Sequence, residues 1–294
     1  MLRSLLREER FIAAPGVHDG FSALLADRFP FDAVYMSGYC VAASRFGLPD
    51  AGLIGLSDML QVVNLIRRCT DKPLIADADT GYGGLLNVQH TVREYEAAGV
   101  NAIQIEDQET PKKCGHTKGK RVIDASEMSA KVEVAAESRN DDSFLIIART
   151  DALATHGLDE AIRRARLYRR AGADVVFIDA LDSQEAMERA GEALGGEGPL
   201  MINITPQMPG FVTPEASIEE LSALGFAIAI FPGLFATPSL AAMEAAAQTL
   251  LNTGRQPAAA GSSLAPAHEL VGFPKVWADE ARWQARYQNG GGTT

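Results

Sequence analysis

Eight short, nearly uninterrupted apolar runs recur along the chain, each parted from the next by a longer amphipathic stretch, and few folds accommodate that rhythm. The runs are Phe11–Ala14, Ala33–Ser37, Pro73–Ala78, Ala102–Glu106, Leu145–Thr150, Val175–Ala180, Leu200–Ile204 and Phe226–Phe231. Runs apolar throughout, rather than at alternate positions, suit strands of a parallel sheet buried on both faces. The spacers carry helical periodicity. In Ser57–Arg68 the residues Met59, Val62, Val63 and Ile66 fall on one stripe, with Ser57 as the expected N-cap. Leu158–Ala171 repeats the pattern, and Val92–Ala98 stops at Gly99. Eight strands, each followed by a helix, predict an α/β fold closed as a (β/α)8 TIM-type barrel. A doubly wound open sheet is the weaker alternative, because no strand is followed by a Gly-x-Gly-x-x-Gly turn.

The barrel is expected over residues 1–251 of the 294. Asn252–Pro266, rich in Ala, Gly, Ser and Pro, reads as a linker, and Lys275–Tyr287, with Trp277 and Trp283, as a terminal helix. Residues 252–289 thus form a helical extension, with a disordered tail at 290–294. The polar spacer from Asp107 to Asp124 follows a strand end and is a candidate lid. A net charge of −11 without a basic stripe argues against a nucleic-acid partner. The pairs Arg163-Arg164 and Arg169-Arg170 read as a solvated helix face. No apolar run is long enough to span a membrane, and the charged N-terminus lacks a signal-peptide core. Three cysteines without ligand spacing fit a cytoplasmic protein.

In such a barrel the reacting groups sit at the C-terminal strand ends. Those ends carry Ser37-Gly38-Tyr39, Asp77-Ala78-Asp79, Glu106-Asp107, Arg149-Thr150-Asp151, Asp179 and Asn203. A single acid there is commonly a helix cap, but several converging on one mouth repel and call for a cation. Oxygen ligands without Cys or His indicate Mg²⁺ or Mn²⁺. Arg149 is open to two readings, a structural partner of Asp179 or Glu106, or a clamp for a substrate carboxylate. In Lys112-Lys113-Cys114-Gly115-His116 the thiol lies among basic residues, which predicts a lowered pKa. Cys40 and Cys69 have no such setting and read as packing.

These segments, with Gly47-Leu48-Pro49-Asp50, occur in the order and at the strand ends of the isocitrate lyase/phosphoenolpyruvate mutase superfamily, which the chain resembles over roughly residues 10–250. The Cys114 lid is similar to that of its lyase branch. The resemblance implies Asp79 as the nearest metal ligand, with Asp77 and Glu106 holding metal-bound water and Asp50 supporting it. It implies that the Ser37-Gly38-Tyr39 backbone grips the oxo-acid carboxylate. Arg149, Asn203, Gly115 and His116 would contact substrate, and Cys114 would be the general acid. Tyr35 is a candidate base. Asp179 stands where such lyases carry Glu, leaving its part in proton transfer or metal organisation open.

The implied reaction is cleavage of a small 2-hydroxy acid to a 2-oxo acid, such as pyruvate, and a carboxylic acid. Thr237 lies near the position where methylisocitrate lyases carry an Arg for a further carboxylate. A buried carboxylate without a partner is costly, which favours a 2-alkylmalate such as 2,3-dimethylmalate. Cleavage of 2-methylisocitrate, hydrolysis or decarboxylation of oxaloacetate, and a non-catalytic metabolite-binding barrel are the alternatives. A homo-oligomer, dimer or tetramer, with a swapped C-terminal helix is also implied.

Overall fold

The computed structural model describes residues 2–205, 213–257 and 265–290. Eight parallel strands close into a barrel in sequence order: β1 (Ile12–Val17), β2 (Val34–Met36), β3 (Leu74–Asp77), β4 (Ala102–Glu106), β5 (Leu145–Thr150), β6 (Val175–Ile178), β7 (Leu200–Asn203) and β8 (Ile228–Phe231). β1 closes the ring, pairing Gly16 with Tyr35 on one side and Ile12 with Ile228 on the other. Each apolar run therefore forms a strand. The first runs beyond its expected end, through Pro15 to Val17. Pro15 sits in register with Phe231.

Alternation along the strands divides the core in two. Ala102 of β4 and Leu145 and Ile147 of β5 face the barrel axis with Tyr35, Ile75, Phe177 and Met201. Ile103, Ile105, Ile146 and Ala148 face the surrounding helices and pack with Val62, Ile66, Val92 and Tyr168. Fully burying one such side chain stabilises the fold by about 1.5–3 kcal/mol, so both faces hold the barrel shut. The short helix Leu2–Arg7 packs Leu2 against the axial cluster. Its Arg3 pairs with Asp174, just before β6, so it lies at the end opposite the acidic strand termini.

Helices Gly20–Arg28, Leu56–Arg67, Leu85–Ala97, Ala125–Ser138, Leu158–Arg170, Gln184–Leu194 and Ile218–Ala223 follow strands β1 to β7. Ser57 is not the N-cap expected of it. The cap is Gly55, whose N–H donates to Asp58 Oδ2 at 2.9 Å, because the side chain three residues on reaches back. Arg164 departs from the expected solvated face. It is buried and donates to Asp107 at 3.0 Å and Glu160 at 2.9 Å. A long side chain reaches inward here to satisfy a carboxylate that the barrel has buried.

By its internal contacts the chain divides after Pro238. The dividing point falls within the helix Ala236–Thr253. The second unit also contains the helices Ala265–Leu270 and Phe273–Gly290. There His268 stacks on Phe273 at 4.4 Å, and Phe273 lies 5.7 Å from Trp277. The expected linker falls partly outside the described residues, as does the expected tail at 290–294 except for Gly290, which ends the last helix. No helix among the described residues is long and apolar enough to cross a membrane.

Candidate active site

The C-terminal mouth of the barrel collects six carboxylates, on Asp50, Asp77, Asp79, Glu106, Asp151 and Asp179, and three cations, on Lys112, Lys120 and Arg149. Five of the acids stand on or directly after β3 to β6, where inward-pointing residues end the strands. Asp79 takes a positive φ of 46°, a conformation Asp tolerates better than most residues, and its N–H donates to Asp77 Oδ1 at 3.1 Å. The other oxygen of Asp77 accepts from the N–H of Gly38 at 3.2 Å. A Cβ on Gly38 would lie 2.6 Å from that oxygen, so the Ser37-Gly38-Tyr39 turn approaches the acids only because residue 38 is glycine. Ser37 caps the helix Gly38–Val41, its Oγ accepting from Cys40 N at 3.3 Å. Tyr39 is half exposed.

Burial, more than the surplus of negative charge, raises the pKa of two of these acids. Burial pushes Asp79 up to about 7, with Lys112 opposing and Asp77 and Asp50 reinforcing the shift. Burial likewise holds Glu106 well above the usual carboxylate range despite Arg149. Arg149 Nε lies 3.3 Å from Glu106 Oε2, but Oε1 has no hydrogen-bond partner among the described residues. A buried, unpaired carboxylate oxygen beside Asp77 and Asp79 is the mark of a place for a cation. No three His, Cys, Asp or Glu side chains among the described residues are grouped to chelate an ion directly. That donor set fits a hard ion that keeps most of its water, as Mg²⁺ does.

Arg149 is not a free clamp. It grips Asp151 with two nitrogens, at 2.9 and 3.0 Å, and Asp179 at 2.8 Å, and lies over the Phe177 ring. Burial works against the charge of Asp151, but Arg149 and Lys120 outweigh it and hold this acid below the usual range. Tyr35, buried on the axis, donates to Gln104 Oε1 at 3.2 Å. Burial and then Asp77 raise its pKa well above normal, which suits a hydrogen-bond donor and does not favour the base role expected of it.

The candidate lid lies over this mouth. An antiparallel bridge between Gln108 and Val122 closes its base, and the Gln108 side chain holds both backbone groups of Lys113, at 2.8 and 3.0 Å. Lys112 reaches Asp50 at 2.5 Å and Asp79 at 2.7 Å. The Cys114 N–H donates to Asp50 O at 3.0 Å. Gly115 packs so closely that a Cβ there would fall 1.9 Å from Asp179 Oδ2 and 2.2 Å from Arg149 Nη2. His116 Nε2 meets Asn203 Nδ2 at 3.1 Å, and Asn203 in turn lies 3.4 Å from Asp179. His116 Nδ1 and Asn203 Oδ1 are buried and have no partner among the described residues.

The lowered pKa expected of Cys114 is overturned. The thiol is buried, and burial first, then Asp50 and Asp179, push it up to about 11. The nearby basic groups are engaged elsewhere: Lys112 with Asp50 and Asp79, Lys113 with Gly119 O, and His116 with Asn203. Cys40 is buried and donates to Pro232 O at 3.4 Å, as packing would have it, and Cys69 is partly buried. Thr237 is exposed at the start of its helix, its N–H donating to Gly233 O at 3.1 Å. No side-chain hydrogen bond joins Thr237 to the mouth among the described residues. Asp151 was in view as a strand-end acid beside Arg149, whereas Lys120 and Gln108 gave no sequence signal beyond lying in the lid.

A family model described as phosphoenolpyruvate phosphomutase matches residues 2–251. The 2,3-dimethylmalate lyase of Eubacterium barkeri is 44% identical over 231 residues, 79% of this chain and 78% of that one. A 2-methylisocitrate lyase of Aeropyrum pernix is 41% identical over 256 residues, 87% of this chain and 80% of that one. Among solved structures, a 2,3-dimethylmalate lyase superposes with a TM-score of 0.88 at 37% identity, covering 95% and 93% of the two chains. An oxaloacetate acetylhydrolase bound to 3,3-difluorooxalacetate gives 0.90 at 34%, covering 96% of each. A phosphonopyruvate hydrolase complexed with oxalate and Mg²⁺ gives 0.85 at 30%, covering 96% and 98%.

Proposed function

The chain belongs to the phosphoenolpyruvate phosphomutase family and is a carbon–carbon lyase, and from that premise we propose that it cleaves a 2-alkylmalate of the 2,3-dimethylmalate kind. The observation that carries the proposal is the buried thiol of Cys114, whose amide is tied to Asp50 O in a lid lying over an acidic mouth. Once a base has taken the 2-hydroxyl proton, cleavage between C2 and C3 leaves the 2-oxo acid on one side and a carbanion beside a carboxylate on the other. A proton donor shielded from water is what the second half requires.

Asp79, with Asp77, Glu106 and Asp50 around it, would hold Mg²⁺ or Mn²⁺, which when bound polarises the 2-hydroxyl and neighbouring carboxylate as a Lewis acid. The Ser37-Gly38-Tyr39 turn fixes the carboxylate of the oxo-acid half. Tyr35 orients an oxygen of that half through a hydrogen bond. Arg149 and Asp179, locked together, form the wall against which Gly115 closes. Asn203 and His116 face the departing acid with their unpaired atoms. Cys114 delivers its proton to the carbanion. The preference for a small alkyl-substituted acid is supported by Thr237 in place of a further cation and by the likeness to 2,3-dimethylmalate lyase. The exposed Leu240, Met243, Trp277 and Trp283 support a homo-oligomer, dimer or tetramer, that swaps the C-terminal helix.

The test is release of the 2-oxo acid (pyruvate, or 2-oxobutyrate from the 2-ethyl substrate) from 2,3-dimethylmalate, 2-ethyl-3-methylmalate and 2-methylisocitrate, and of oxalate or pyruvate from oxaloacetate, with Mg²⁺ and with EDTA. Metal-dependent turnover favouring the alkylmalates is expected. Preference for 2-methylisocitrate would overturn the substrate reading but keep the lyase. Turnover of oxaloacetate alone would move the chain to hydrolysis or decarboxylation.

A further inference from the structure

Lys120 is a buried cation that the mechanism above does not use. It lies at the far end of the lid from Cys114, yet its ammonium returns to the site. Nζ donates to the carbonyl oxygen of Gly115 and, at 2.7 Å, to Asp151 Oδ1, with Asp179 Oδ2 4.0 Å away. Asp151 Oδ1 also accepts from Arg149 Nη2 at 3.0 Å. One carboxylate fixed to the barrel therefore joins the arginine of the site to a lysine carried by the lid. The carbonyl that Lys120 holds belongs to the residue directly after Cys114, at the point where the glycine backbone lies against Arg149 and Asp179.

We infer that Lys120 is a positioning residue, a latch that ties the Gly115 carbonyl to Asp151 and so keeps the Cys114 thiol seated over the mouth. The link is charge-assisted at both ends and buried, and such bonds are the strong ones. The backbone bonds of the lid fix its base and the Cys114 amide. The turn at Gly115 is tied to the barrel through Lys120 and, one residue on, through His116 and Asn203. The inference rests on the assignment of Cys114 to a closing lid, but not on the identity of the substrate.

The test is alkylation of the full-length protein by iodoacetamide at pH 8, with the cysteine-containing peptides resolved by mass spectrometry. Lys120→Met is expected to raise the Cys114 rate at least about tenfold, the factor that loss of a charge-assisted hydrogen bond implies for lid opening. Cys69, remote from the lid in sequence and partly buried, is the internal reference and should keep its wild-type rate. Lys120→Arg should restore protection. Should Lys120→Met fail to fold because Asp151 loses one of its two cations, Lys120→Met with Asp151→Asn removes that charge and gives the same readout. A Cys114 rate within twofold of wild type, or a parallel rise at Cys69, would overturn the latch. Because alkylation uses no substrate, either result is independent of which acid the enzyme cleaves.

Discussion

Replacing Cys114 by serine separates the chemistry of the lid from its closure. The side chains are close in size, and the bonds anchoring this residue are made by its backbone: the amide to Asp50 O at 3.0 Å, and the carbonyl accepting from Thr117 N at 3.0 Å. The lid should therefore close as before. What changes is the acid. With its pKa pushed up to about 11, the thiol is more than 99% protonated at pH 8. A serine alcohol in the same place is protonated too, but is a far weaker acid. Losing a positioned general acid slows a reaction by about 10²–10⁴-fold, or about 3–5 kcal/mol of barrier. Steady-state pyruvate release should show kcat falling by that factor with KM changed little. Product inhibition by pyruvate should persist. A kcat within threefold of wild type would refute the assignment, since no lid effect is available to mask it.

Three further outcomes are expected. Gly115→Ala places a methyl where Asp179 and Arg149 already stand, so the lid must lift, and kcat should drop about a hundredfold with little change in melting temperature; wild-type turnover would show that the lid does not seat there. Glu106→Gln should weaken Mn²⁺ binding, followed by electron paramagnetic resonance, at least tenfold by about the energy of one ligand charge. Since burial raises the pKa of Glu106, the metal-free fold binds the extra proton, and its stability should fall as pH rises above the ordinary Glu value; the same variant should flatten that slope in EDTA, and an unchanged urea profile would contradict it. Arg164→Met leaves fully buried Asp107 without its cation and should cost about 3–5 kcal/mol in urea unfolding, whereas a loss under about 1 kcal/mol would mean that Tyr168 and Thr150 suffice.

The barrel was legible because strand burial on both faces leaves an unbroken apolar run, a signal carried within four to six residues. Five of the six acids of the mouth were legible for the same local reason, since each ends or directly follows such a run, whereas Asp50 came only from the resemblance. Pairings between distant residues were not. Composition puts Lys112, Lys113 and His116 beside Cys114 in sequence, but which acid each one meets depends on how the lid folds over strands far away in the chain. The electropositive setting inferred for the thiol failed on that ground. Arg164 failed similarly: its position on an amphipathic helix suggested solvent, and only the burial of Asp107 by β4 and β5 explains why it turns inward.

Two of the three cations at the mouth, Lys112 and Lys120, belong to the lid, and only Arg149 belongs to the barrel. Lifting the lid would leave six carboxylates answered by one guanidinium. Asp79 and Asp151, which lose their lysines first, sit on opposite sides of Glu106, itself already short of a partner. The two lysines of the lid therefore neutralise charge at the mouth that an open lid would leave unanswered. Any cation held at Asp79 must share that carboxylate with Lys112. A dication and the closed lid thus act on one set of charges, and by linkage each must change the other's equilibrium. The sign is set by Lys112: if it keeps Asp50 at 2.5 Å when Asp79 is taken, closure survives metal binding, and the lid shuts over a site whose charge is nearly balanced.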